Sequence, residues 1–171
     1  PANAAIGTSV EDKKRAYMNV PAILEASAQL WRTKTRPLFT FLSCEPLLEE
    51  FDLTDLPTNS RNEDEGGYRM DALRGKLWLP RGVNKLKPGH IVGDREYVDL
   101  CHKVDWVITG GETDQEEHMA RPTHPNAFRT LRDQCAAAGV PFHHKQNGEW
   151  LYAPDYERDG PIHQFPDGVT V

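Results

Sequence analysis

The sequence has few cysteines and no close pair of them. Cys44, Cys101 and Cys135 are its three, and none stands in a Cys-x-x-Cys or Cys-x-x-x-Cys spacing. An odd number at wide spacing argues against a disulfide framework and suits a reducing compartment. It also argues against an iron–sulfur cluster held by this chain alone, because cluster binding draws on closely spaced thiolates. No apolar run approaches the ~20 residues of a membrane-spanning helix. No basic flank followed by an apolar stretch marks a signal peptide, so a cytoplasmic location is the expectation. There is no P-loop, no Gly-x-Gly-x-x-Gly and no local signature of a Ser-His-Asp triad. Basic charge is also short. Lysine and arginine number 20 against 26 acidic residues, a net charge of -6. Such a surface gains little from phosphate neutralisation, which disfavours non-specific duplex binding. The local exception is Arg69 to Arg95, with Arg74, Lys76, Arg81, Lys85 and Lys87 between them. It reads as a solvated loop.

What is present is an alternation of apolar strands and helices. Ala4 to Val10 reads as a short buried strand. Asp12 is placed to cap a following helix, in which Pro21 predicts a break or kink before the Ala- and Leu-rich stretch Ala22 to Leu30. Leu38 to Cys44 is aromatic and β-branched, as a strand requires, and Glu45-Pro46 ends it. From about 49 to 93 the pattern dissolves. Asn59 to Gly67 has loop composition, and Lys76 to Leu79 reads as a short edge strand. This stretch holds too few apolar residues for its own core, so it reads as a long irregular insertion. Val104 to Thr109 is the clearest strand. His124-Pro125-Asn126 opens a helix on which Phe128, Leu131 and Cys135 recur, with Gly139 as its stop. Val140 to Lys145 is a fourth strand. The tail, 153–171, reads as irregular. Strand, helix, strand, insertion, strand, helix, strand implies a parallel sheet, and the fold class is α/β: a partial (βα) barrel over residues 1–152.

In parallel α/β folds ligands sit at the carboxyl ends of the strands. Here each strand turns polar at that end. The first delivers Ser9, Glu11 and Asp12, and the second Ser43, Cys44 and Glu45. The third delivers Gly110, Gly111 and Glu112, and the fourth Lys145, Gln146 and Glu149. The candidate ligand-binding set is Ser9, Glu11, Ser43, Glu45, Gly110, Gly111, Glu112, Lys145 and Gln146. Crowded carboxylates repel, so at least one needs a raised pKa or a cationic partner, and Lys145 is the internal candidate. Gly110 and Gly111 offer a ligand close approach to the backbone. Glu112 is placed to accept hydrogen bonds from an amine or hydroxyl. Glu45 also reads as a strand terminator and Gly-Gly-Glu as a turn. Cys44 reads as a buried packing cysteine rather than a reactive thiol, and Cys101 and Cys135 as core. One of His143 and His144 faces the core and the other the helix layer. A metal held by the inward one with Glu112 or Cys44 is the lesser reading, and no metal is expected.

Six ordered segments carry a family resemblance. They are Thr8-Ser9-Val10-Glu11-Asp12, Phe41 to Leu48, Asp105 to Glu112, Ala120-Arg121-Pro122-Thr123-His124-Pro125, Leu131 to Cys135, and Gly139-Val140-Pro141-Phe142 leading to Lys145-Gln146-Asn147-Gly148-Glu149-Trp150. Together they resemble the C-terminal part of a phage and prophage protein family of uncharacterised function, related to the radical S-adenosylmethionine barrels. The resemblance implies a partial barrel with S-adenosylmethionine and a [4Fe-4S] cluster at the strand ends. The segment that carries the cluster cysteines in that family has no counterpart in these 171 residues. Both cofactors are therefore expected only with a partner half, and none in the isolated chain. The loop after Glu112, with Asp114, Glu116 and Glu117, is longer and more acidic than the family's.

Two functions follow as expectations. One is a barrel half that supplies the polar pocket while a partner polypeptide completes catalysis, with a nucleotide or nucleic-acid substrate by analogy. The other is a non-catalytic phage binding or inhibitory protein acting on a host protein. A half barrel exposes two strand edges, so a homo-oligomer or a partner chain is expected, and no membrane.

Overall fold

The computed structural model describes residues 3–58, 68–78, 90–92, 95–100, 102–116, 118–151 and 162–163. In chain order the elements are β1 (Ile6–Ser9), α1 (Lys13–Arg32), β2 (Thr40–Cys44), β3 (Leu56–Pro57), β4 (Arg69–Asp71), β5 (Lys76–Trp78), β6 (His90–Val92), β7 (Arg95–Asp99), β8 (Trp106–Gly110), α2 (Pro125–Ala138), β9 (Phe142–Gln146), β10 (Trp150–Leu151) and β11 (Ile162–His163). The α/β expectation holds. β1, β2, β8 and β9 form a four-stranded sheet in that order, every pair parallel. Spatial order follows chain order, so the sheet contains no topological switch point.

Register divides the sheet into two faces. Ile6, Thr40 and Phe41's neighbour Leu42 illustrate the alternation: Ile6 pairs Thr40, Thr8 pairs Leu42, Leu42 pairs Val107 and Cys44 pairs Thr109. Leu42, Cys44, Val107 and Thr109 are fully buried. They meet Ala16, Val20 and Leu24 of α1 and Phe128, Leu131 and Cys135 of α2, all in one core, so both helices cover the same face. The other face carries Gly7, Ser9, Phe41, Ser43, Trp106 and Ile108, none of them buried. Phe41 lies across β1, occupying the space a side chain at Gly7 would need. Phe39, Phe41, Trp106 and His143 stack there at centroid distances of 5.9–6.4 Å.

The caps are where the sequence places them. Asp12 accepts from the Arg15 amide at 2.6 Å. The His124 ring accepts from the Asn126 amide at 3.1 Å. Gly139 ends α2 in the left-handed region at φ 67°. Pro21 does not break α1, which runs on through it. Proline in a helix interior costs about 3 kcal/mol. Burial of Ala16, Val20, Leu24 and Ser27 along one stripe outweighs that, at roughly 1.5–3 kcal/mol for each large apolar side chain.

The insertion is less irregular than its composition suggests. Its strands form an antiparallel sheet in the order β3-β4-β5-β7-β6. β5 is central, between β4 and β7, where an edge strand was expected. Leu53, Leu56, Met70, Ala72 and Leu73 belong to the main core rather than a second one. Gln134 of α2 fastens the insertion by accepting from the Leu53 amide at 2.8 Å and donating to the Phe51 carbonyl at 3.0 Å. The insertion thus takes the place of the crossover helix between β2 and β8. Its short strands hid because a three-residue strand leaves too few alternations to read. Nor are its described cations free in solvent: Arg69 pairs Asp55, Arg74 pairs Asp71 and Lys76 pairs Asp99. Asn59 to Gly67, Arg81, Lys85, Lys87 and Cys101 lie outside the described residues. The tail is not wholly irregular, since β11 pairs antiparallel with β10.

Candidate functional site at the strand tips

Parallel pairing brings the polar ends of β1, β2, β8 and β9 to one end of the sheet. Ser9 pairs Ser43 in register, so both project from the open face. Two residues further along that face stands Glu45. Ser43 Oγ donates to Glu45 Oε2 at 3.3 Å, and Lys145 Nζ lies 3.5 Å from Glu45 Oε1. A slip in the β8–β9 register between Thr109 and Gly110 leaves Lys145 without a partner position in the ladder. Gly110 is the reason Glu45 can lie over β8, because a Cβ there would come within 2.6 Å of Glu45 Oε1. The Glu45–Pro46 peptide is cis.

The two glycines therefore act differently from the expectation that they admit a ligand. The space over Gly110 holds the Glu45 carboxylate, and a side chain at Gly111 would collide with the Asn147 carbonyl. The second contact is backbone against backbone. It is completed by the Gly111 amide donating to the Gln146 carbonyl at 2.9 Å and by Gln146 Nε2 donating to the Gly111 carbonyl at 3.3 Å. Gln146 and Gly111 hold two tips together.

Glu112 turns to a residue the candidate set omitted. Arg121 Nη2 donates to Glu112 Oε1 at 2.7 Å, Arg121 Nε to Oε2 at 2.9 Å, and the Arg121 amide to Oε2 at 2.7 Å. These bonds, the side-chain ones foremost, hold the Glu112 carboxyl below its usual range against the opposing effect of partial burial. The clue in the sequence was Ala120-Arg121-Pro122 after an acidic loop. Asp114 orders that loop: its carboxylate accepts from the Ala120 amide at 2.6 Å and from Trp150 Nε1 at 2.8 Å. The Asp114 amide donates to Glu149 Oε2 at 2.6 Å. Trp150 and Glu149 are thus framework for the loop. Glu11 stands 3.6 Å from Arg15 Nε.

Glu11, Glu45 and Glu112 therefore each have their own cation. Lys145 is 60% exposed and its pairing is long, so it can turn to an anionic group, while a ligand amine could replace it on Glu45. Ser9 and Ser43 add two hydroxyls on the same face. The described cysteines do not fit a cluster. Cys44 and Cys135 lie in the core on the helix-covered face, and burial pushes the Cys44 thiol far up and that of Cys135 to about 11. Thiols held protonated are poor metal ligands. Among the described residues no group of three or more His, Cys, Asp and Glu side chains could hold a metal ion. His143 faces Trp106 on the open face, while His144 faces α2, 4.6 Å from the Phe128 ring, with its nitrogens on Thr109 and Asn147. No helix among the described residues is long and apolar enough to cross a membrane.

A mixed α/β protein with a four-stranded parallel sheet and a polar tip cluster is the class these observations define. Residues 1–163 match the family described as protein of unknown function DUF5131, and the chain belongs to that family. No curated protein and no solved structure matches it.

Proposed function

We propose that the chain is a partial (βα) barrel, radical-S-adenosylmethionine-like and phage-derived, that supplies a polar ligand pocket at its strand tips and works with a partner half. The observation that carries this is the meeting of Ser43, Glu45, Gly110 and Lys145 at the carboxyl ends of three adjacent parallel strands, with Ser9 of β1 beside them. In-order parallel strands covered on one face are also the arrangement from which a barrel wall is made. The pocket's chemistry suits a ligand with both an amine and an anionic group: Glu45 takes the first and Lys145 the second. Any cluster would come from the partner, since the described thiols do not fit one.

Calorimetry of the full chain with S-adenosylmethionine tests the reading. Binding is expected, weakened about tenfold or more in Glu45→Gln, which is 1.4 kcal/mol. No heat at millimolar ligand, or equal heat in Glu45→Gln, would sink it. A second reading, a non-catalytic binding module directed at a host protein, is favoured by the half-exposed aromatic face of Phe39, Phe41 and Trp106. It is supported instead if S-adenosylmethionine gives no heat and a host-protein complex survives Glu45→Ala and Glu112→Ala.

A further inference from the structure

A cavity of about 310 Å³ opens at the other end of the parallel sheet, where β2 begins and the chain enters β8. Its walls come from the end of α1, the run Pro37 to Thr40, the Arg74-Gly75 turn, and Leu100, His102, Lys103 and Asp105. Two large apolar side chains stand at it uncovered, Trp31 at 42% and Leu38 at 63% exposure. Trp31 is nevertheless held in place. The Arg36 guanidinium sits 4.0 Å from its ring centroid, and His102 meets it edge-on at 5.4 Å.

The charges around this cavity oppose the net charge of the chain. Arg32, Lys34 and Arg36 fall within five residues at the end of α1, with no acid between them, and Arg74 and Lys103 line the wall. Some are already used: Arg32 lies 3.6 Å from Glu25, and Arg74 is bound by Asp71 and the Ala137 carbonyl. Lys103 and Arg36 form no ion pair among the described residues. Deeper in, polar groups are fixed. Asp105 Oδ2 accepts from the Thr40 amide at 2.9 Å, and the buried Ser27 hydroxyl meets Thr40 Oγ1 at 3.3 Å.

We propose that this cavity binds a small aromatic anion, one ring system carrying a phosphate or carboxylate directly or through a short linker, with the ring against Trp31 and the anionic group toward Lys103 and Arg36. Size sets the first part of the specificity. Ligand sites run from about 300 to 1,000 Å³, so this one admits a single ring system and not a dinucleotide or a folded peptide. A fixed indole with a cation on it is a stacking platform for a flat ring. Charge sets the orientation. The Asp105 carboxylate repels an anion from the inner wall and offers an acceptor to a ring N–H, leaving the outer cations for the anionic group. Burial and the neighbouring Arg32 lower the pKa of His102 against the opposing pull of Glu25 and Asp105, which favours a neutral ring able to hydrogen-bond the ligand.

The test uses the full chain and four probes by calorimetry: adenosine monophosphate, 4-hydroxybenzoate, adenosine and inorganic phosphate. At least one of the two aromatic anions is expected to bind with Kd at or below millimolar, and more tightly than adenosine or phosphate alone. Which of them binds tells phosphate from carboxylate. Trp31→Ala and Lys103→Ala should each weaken it about tenfold or more. Lys14→Ala removes the same charge at the far end of α1, about 25 Å away at 1.5 Å per residue, and should change it less than twofold. Both side chains are exposed, so their loss does not threaten the fold. Absence of binding by both aromatic anions would overturn the proposal. So would binding that survives Trp31→Ala and Lys103→Ala, or adenosine binding as tightly as its monophosphate.

Discussion

Glu45, Glu112 and Glu11 each meet a different cation, and the three pairs are not equal. Glu45–Lys145 is long and mostly exposed, worth less than about 1 kcal/mol. Glu45→Gln should therefore leave urea-unfolding stability within that margin, so any loss of ligand in that variant belongs to the site. Glu112 receives three short bonds, one from backbone. Charge-assisted bonds of this kind are worth more, and Glu112→Gln should cost about 1–2 kcal/mol at neutral pH. The sign with pH follows from its lowered pKa. A carboxylate more acidic when folded stabilises above its ordinary value, 4.5, and loses that contribution as pH falls through the lowered native value. The gap between wild type and Glu112→Gln should stay level above about pH 5 and narrow below it. A gap that widens on acidification would be inconsistent with this pairing. Gly111→Ala should cost about 2–3 kcal/mol or more, because the new Cβ meets backbone that cannot move aside. At this scale the sequence announced what depends on neighbours in the chain, such as the Asp12 and His124 caps. It did not announce Arg121, which closes on Glu112 from nine residues away across an acidic loop.

α1 and the insertion show where local pattern gives way to packing. Pro21 reads as a break or kink, yet α1 continues through it, carried by the apolar stripe on either side. Pro21→Ala should restore the bond to the Tyr17 carbonyl. It should stabilise the protein by about 1–3 kcal/mol, less whatever the freer unfolded chain takes back. Thermal unfolding of the two proteins reads this, and a lower midpoint in Pro21→Ala would mean the proline is required by the packing. The four parallel strands were legible because each is an apolar run with a polar end. The strands of the insertion were not, being two to five residues long, too short for an alternation to be read. Its Leu56 and Leu73 nonetheless sit fully buried in the common core. Leu73→Ala should cost about 2–5 kcal/mol and shift a single cooperative transition. Two separate transitions would show that the insertion folds on its own.

At the scale of the whole molecule, the described residues place both helices on one face of the parallel sheet. Among the described residues no strand pairs with the outer edges of β1 and β9, and the face opposite the helices keeps Phe41, Trp106 and Ile108 partly exposed. Open edges beside an aromatic face favour association. Light scattering at micromolar concentration should find a dimer, or a monomer that becomes a stoichiometric complex once its partner half is added. A monomer with no such partner would leave the sheet as the whole fold rather than part of a barrel wall. Four-strand topology was legible in the sequence because βα alternation imposes it.

The claim on which the rest depends is that the polar strand tips are one ligand site, distinct from the cavity at the sheet's other end. Backbone amide NMR of the full chain titrated with S-adenosylmethionine tests it most directly. The account expects shifts at residues 43–45, 110–112 and 145–147, with residues 31, 38 and 102–105 unmoved. Shifts confined to the latter group, or none at millimolar ligand, would contradict it.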